Sequence, residues 1–156
     1  MEQGKGWKLL PISFKTLFLF LVAEVIYSVL LYGGFIFEDI SLIGCPILGF
    51  YFHGISATFF AILLHIVFPA IFLFVLWNRS VWAWKYGIGY FSFFILNTLL
   101  SLVNLPNELL RDPEINSEVM YQVVYQFALI GIFFAIITDI VFLIIIYKKR
   151  SYFNKI

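Results

Sequence analysis

Four long apolar stretches, Leu17 to Phe37, Ile47 to Trp77, Tyr86 to Leu105 and Tyr121 to Tyr147, constrain this chain more than any other feature. A helix rising about 1.5 Å per residue needs roughly 20 residues to cross about 30 Å of hydrocarbon, so each stretch is long enough to cross once. Composition agrees, since 63% of the 156 residues are apolar and only 12% are charged. So few charges cannot cover a water-soluble domain of this size. The apolar/polar alternation of a membrane barrel is absent, and backbone amides in lipid must then be satisfied within helices. The expected fold is all-α: an integral membrane four-helix bundle, one domain over residues 1–156, with spans at about 15–37, 47–77, 86–105 and 121–147.

The second stretch is too long for a perpendicular crossing and carries Pro69, whose missing N–H predicts a bend. Residues 43–49 hold two glycines and a proline, so an interfacial or partly re-entrant segment competes with helix there. Residues 106–113 read as a short interfacial helical turn, with Asn116 or Ser117 capping the fourth span.

Charge placement predicts orientation. Lys5, Lys8, Lys15, Arg79, Lys85, Lys148, Lys149, Arg150 and Lys155 lie in the N-terminus, the middle connection and the C-terminal tail, leaving Arg111 for the other two connections. Those two carry Glu38, Asp39, Glu108, Asp112, Glu114 and Glu118. By the positive-inside rule both termini are cytoplasmic, and Trp77, Trp82 and Trp84 fall at the cytoplasmic rim. The first span reads as an uncleaved signal anchor, because Glu24 interrupts the apolar run and no small-x-small cleavage site follows before Tyr32-Gly33-Gly34. Asn78-Arg79-Ser80 matches a glycosylation sequon on the cytoplasmic side, where it stays unmodified. A net charge of +1 with dispersed basic residues excludes nucleic acid as an expected partner. The single Cys45 excludes an internal disulfide and a cysteine-based metal site.

Residues 59–68 (FFAILLHIVF) and 133–142 (FFAIITDIVF) are identical at seven of ten positions. At an offset one residue shorter Phe18 aligns with Phe91, Phe20 with Phe93, Glu24 with Asn97 and Ser28 with Ser101. These matches suggest two duplicated helical hairpins related by a pseudo-twofold axis along the membrane normal, against the plainer account that Phe, Ile, Leu and Val match often by chance.

Polar residues inside the spans carry the functional question, since each is costly to leave facing lipid. Glu24 lies nine residues from Lys15 and Asp139 nine from Lys148, which puts both carboxyls about 13 Å inward. His65 and Asn97, twelve residues from Trp77 and Lys85, lie at about 18 Å. Small residues at helical spacing, Gly54-Thr58-Ala61 leading to His65 and Ala128-Gly131-Ala135-Thr138 leading to Asp139, predict contact faces that turn these groups inward. Ser28 shares a stripe with Glu24, and Ser101 and Asn104 share one with Asn97. The candidate site is therefore Glu24, His65, Asn97 and Asp139, with Ser28, Ser101, Asn104 and Thr138 as secondary members.

Three functions compete for this layer. Carboxylate and imidazole exchange protons near neutral pH, so the preferred one is binding or transfer of a proton, a cation or a small lipophilic ligand. The second is a hydrogen-bonded net that fixes helix packing in a non-catalytic subunit or scaffold, whose partners are other membrane proteins or a second copy. The third is an intramembrane lipid-modifying enzyme, for which neither Glu-x-x-His, His-Glu-x-x-His, Gly-x-Ser-x-Gly nor a glycine-rich phosphate loop is present. The sequence identifies no particular cofactor and leaves that question open, and membrane lipids are the expected surroundings. His53 reads as an interfacial ring, Gln122 and Gln126 as hydrogen-bonding groups at the outer end of the fourth span, and the 20 Phe and nine Tyr as lipid-facing bulk and rim anchors.

Overall fold

The computed structural model describes residues 10–38, 44–78, 80–112, 115 and 117–153, with the backbone alone at 34–38. Lys5, Lys8, Asp39, Arg79, Glu114, Asn116 and Lys155, and the side chain of Glu38, lie outside the described residues. Four helical segments are long and apolar enough to cross a membrane, which makes the chain a multi-pass membrane protein. Helix α1 is Ile12–Glu38, α4 is Trp82–Arg111 and α5 is Glu118–Lys148, while the second crossing is composite. It comprises α2 (Gly54–Ile62), a π-helical turn (Leu63–Val67) and α3 (Phe68–Trp77).

Local chemistry explains the boundaries. The Ser117 side chain accepts the Met120 N–H at 3.2 Å and so caps α5. Helix α4 runs on through Pro106 to Arg111, so the expected interfacial turn is continuous with the third span. The bend expected at Pro69 takes the form of the wide turn just before it: the Phe68 N–H bonds back five residues to the Leu63 carbonyl. Pro69 has no N–H for the His65 carbonyl, and opening the turn relieves the ring's clash with that group.

The second span begins later than expected. Residues 47–53 do not join the helix; Gly44–Ile47 (β1) and Phe50–His53 (β2) form an antiparallel hairpin, with Gly44 opposite His53 and Ile47 opposite Phe50. Leu48 and Gly49 make its two-residue turn at φ of 48° and 88°, the mirror-image geometry that tight hairpins favour. Gly44, Pro46 and Gly49 oppose helix while the Phe50-Tyr51-Phe52 run favours strand. Gly54, at φ 61°, makes the switch from strand to helix.

Two buried clusters hold the bundle. At the end carrying Lys15, Lys85 and Lys148, Phe14 and Leu21 of α1, Phe72 of α3, Phe91 of α4 and Ile146 of α5 pack together with Phe153, which returns after α5 to lie 5.0 Å from the Phe14 ring. Gly87 lets α4 approach closely there, since a Cβ would sit 2.6 Å from the Phe72 ring and 2.7 Å from Ile146. Toward the other end Cys45 of the hairpin packs on Ala57, Ala61 and Leu64. The small-residue face expected on the second span is thus a contact face, with Ala57, Thr58 and Ala61 buried. The corresponding face of α5 is not: Ala135 is exposed and a Cβ on Gly131 would meet nothing within 4 Å. Helix α5 buries only Phe142 and Ile146, both near its far end, so its outer half stands away from α1.

Candidate functional site

Three crossings bring one titratable group each to a common level, and the fourth contributes a tyrosine. Glu24 of α1 faces His65 of the π-helical turn, with Nδ1 3.5 Å from Oε1. The Tyr90 hydroxyl of α4 donates to the same carboxylate, 3.2 Å from each oxygen. Asp139 of α5 looks onto this group from across a cleft; among the described residues it has no hydrogen bond or ion pair. The wide turn at Leu63–Val67 sets the His65 ring between Tyr32 and Phe94, at centroid distances of 6.1 and 5.6 Å. Turns of this kind recur at functional sites.

The cleft between α1 and α5 has a volume of about 430 Å³. Glu24, His65, Tyr90, Thr138 and Asp139 line it, and Ser28, 4% exposed, lies one turn along from Glu24 on the same wall. The Thr138 hydroxyl is engaged with the Phe134 carbonyl at 2.8 Å, one turn back in its own helix. Phe20 and Phe142, with rings 4.9 Å apart, close the cleft toward the basic end of the bundle. Its remaining walls are mainly aromatic and aliphatic, including Tyr27, Leu31 and Phe134, with Thr98 of α4 among them.

Asn97 is brought elsewhere. It is 7% exposed, and its carboxamide accepts the Leu48 N–H at 2.6 Å while donating to the Pro46 carbonyl at 3.1 Å. Asn104 donates to the Gly49 carbonyl, the Tyr51 hydroxyl donates to the Ser101 carbonyl at 3.3 Å, and the Ser101 hydroxyl donates to the Asn97 carbonyl at 2.7 Å. The stripe Asn97-Ser101-Asn104 is therefore real, and its partner is the hairpin rather than the carboxyl cluster. The reason is depth. Tyr90 lies seven residues, about 10 Å, nearer the basic end of α4 than Asn97, and it takes the place at Glu24 that Asn97 was expected to fill.

These bonds pin the hairpin along α4. His53, near its open end, lies 3.1 Å from Glu108, and the tip reaches Asn97, eleven residues or about 16 Å along the helix. Asn97 sits near the midpoint of the 30-residue helix α4, so the hairpin tip reaches about halfway along it. Irregular backbone at such depth persists only where protein satisfies its polar groups, and the two asparagines do that. Burial pushes the Cys45 thiol up to about 11 and raises the Tyr51 hydroxyl above its ordinary value, Glu108 adding to the latter.

Tyr90 is the functional side chain that sequence reasoning missed. Its signal is a position two turns from Asn97 on one face of α4, masked by the abundance of aromatic residues. Among the described residues no three His, Cys, Asp or Glu side chains converge as a metal site would require. The chain matches no protein-family model, no curated protein and no solved structure.

Proposed function

We propose that this membrane protein binds a small lipophilic ligand by its polar head in the α1–α5 cleft, with Glu24 and Asp139 as proton-exchanging acids and His65 as the relay between Glu24 and the cleft. The observation that carries this reading is the convergence of Glu24, His65, Tyr90 and Asp139 on one cavity of about 430 Å³, within the range of small-molecule sites. Packing alone needs no such void, and ionisable groups inside a membrane ordinarily mark a pathway or a ligand. Both termini are taken to be cytoplasmic from the basic bias, and the two helical hairpins to be a duplication in which Glu24 corresponds to Asn97 and His65 to Asp139.

Native mass spectrometry of protein extracted in mild detergent tests the ligand. Wild type is expected to carry a non-covalent small-molecule adduct that Glu24→Gln and Ala135→Trp lose while remaining folded. An empty wild type, or an adduct indifferent to both substitutions, overturns the reading.

One observation favours a second function, a non-catalytic subunit. The long part of α5 before Phe142, residues 118–141, buries no residue, and Gly131 and Ala135 lie open along it. A helix of another membrane protein, or of a second copy, laid on that face would complete the bundle. Cross-linking from a cysteine at Ala135 to another chain in native membranes, together with an empty cleft, would favour it.

A further inference from the structure

We propose that the ligand of the cleft is a bulky hydrophobic organic cation, admitted sideways between α1 and α5; the inference rests on the ligand-binding reading above and names its chemical class. Carboxyls from two different helices face the cavity, and among the described residues no Lys or Arg lines it. The Tyr90 hydroxyl is spent on Glu24, and His65 also lies beside that carboxylate, so among the described residues Asp139 is left with open acceptor sites and no cation beside it. A buried carboxylate without a partner is costly, and a cationic occupant removes that cost.

The remaining lining selects among cations. Small hard ions need six or more oxygen ligands gathered around one point, and among the described residues no three His, Cys, Asp or Glu side chains gather in that way. The rings of Phe20, Tyr27, Tyr32, Tyr90, Phe94 and Phe134 instead suit a weakly hydrated charge spread over a large apolar body, attracted to ring faces as well as to the acids. The route follows from the packing: Phe20 against Phe142 and Phe14 against Phe153 shut the α1–α5 seam toward the basic end. Beyond them exposed Ala135 and Gly131 leave it open to the bilayer.

Charge balance couples binding to protons. A cation entering beside a protonated carboxyl forms an ion pair with the carboxylate, and the proton leaves to solvent. The groups that bear on this exchange are His65 from the second crossing, Tyr90 from α4 and Asp139 from α5 around Glu24, with Tyr32 on its own helix, and Glu24 and Tyr90 around Asp139.

The test uses full-length protein in nanodiscs of zwitterionic lipid, titrated with tetraphenylphosphonium and with tetraphenylborate, ions of like shape and opposite charge. Tetraphenylphosphonium is expected to bind at least about tenfold more tightly at about pH 8 than at about pH 6, releasing protons into weak buffer. Asp139→Asn is expected to weaken it about tenfold or more and to remove most of the pH dependence. Ala135→Trp, an exposed position that leaves every acid in place, is expected to abolish binding by filling the mouth. Equal binding of the borate, or phosphonium binding indifferent to pH and to Asp139→Asn in folded protein, overturns the cation assignment and leaves a lipophilic ligand of other charge. Absence of binding by either ion also overturns it, whereas the broader reading falls separately, on an empty wild type in native mass spectrometry.

Discussion

The two seams of this bundle are treated differently by the chain. Between α2 and α4 the hairpin fills the outer half, its backbone held by Asn97 and Asn104 and Cys45 pressed against Ala57 and Ala61. Between α5 and α1 no described residue fills the corresponding space, and Glu24, His65 and Asp139 face a cleft. The same problem, long helices that diverge, is met once with protein and once with a void. A carboxamide both donates and accepts, so Asn97 satisfies an N–H and a carbonyl of the tip together. A carboxylate only accepts, so Glu24 asks for donors, of which the protein supplies the Tyr90 hydroxyl, with the His65 ring 3.5 Å from the same carboxylate. The filled seam gains dispersion contacts that the open one forgoes.

The contrast is broken most directly at Asn97. Replacing it by Leu leaves the Leu48 N–H and the Pro46 carbonyl without their side-chain partner at mid-helix depth. At roughly 1–3 kcal/mol for each of the two groups left unsatisfied, the loss is expected to be about 2–6 kcal/mol in reversible unfolding. Glu24→Gln, across the bundle, keeps its size and an acceptor for Tyr90 and is expected to cost less than about 1 kcal/mol. Cys45 supplies an independent readout. With its thiol pushed up to about 11, its maleimide labelling in folded protein should keep rising with pH toward that value. In unfolded chain the rise should level off near the ordinary thiol value, and near neutral pH the raised pKa alone should slow folded labelling roughly 100-fold. Asn97→Leu should bring the folded rate toward the unfolded one. Equal stability of the Asn97 and Glu24 variants, with Cys45 still protected in both, would mean that the tip is not held by the asparagine.

The legibility of the two seams in the sequence also differs. Glu24, His65 and Asp139 are isolated polar residues in otherwise apolar spans, so counting from the flanking basic and Trp residues locates them at compatible depths. The same count misassigns Asn97. It measures depth along an axis and is silent about which neighbour lies on that side, and Ser101 and Asn104 in the same stripe are the sign of a partner running along α4. The hairpin is hard to read because Ile47 to Tyr51 is as apolar as a buried helix, leaving Gly44, Pro46 and Gly49 as its local marks. The open face of α5 is illegible for a related reason: small residues at helical spacing permit close approach but do not compel it.

One substitution made at two positions sharpens the comparison. Gly49 has φ 88°, and a Cβ there would lie 3.1 Å from the Leu100 carbonyl oxygen of α4. Gly49→Ala is expected to cost about 1–2 kcal/mol from the left-handed backbone, before any retreat of the hairpin from α4. Gly131 is helical with open space where a Cβ would be, so Gly131→Ala is expected to leave stability unchanged or to raise it by up to about 1 kcal/mol. Similar losses at both sites in detergent melts would mean that the α1–α5 seam is closed in the bilayer.

The smallest effect belongs to the rim of the filled seam. His53 lies 3.1 Å from Glu108, which also meets Arg111 at 3.1 Å, and His53 is 60% exposed. An exposed ion pair contributes little, because water and salt screen it and two side chains must be ordered to make it. His53→Ala is therefore expected to lower stability by no more than about 0.5 kcal/mol and to leave Cys45 labelling unchanged. A loss as large as that of Asn97→Leu would shift the anchor of the hairpin from the buried carboxamides at its tip to its open end. The hairpin would then be a surface loop leaning on α4 rather than a filling of the bundle, and the contrast with the open cleft would lose its physical basis.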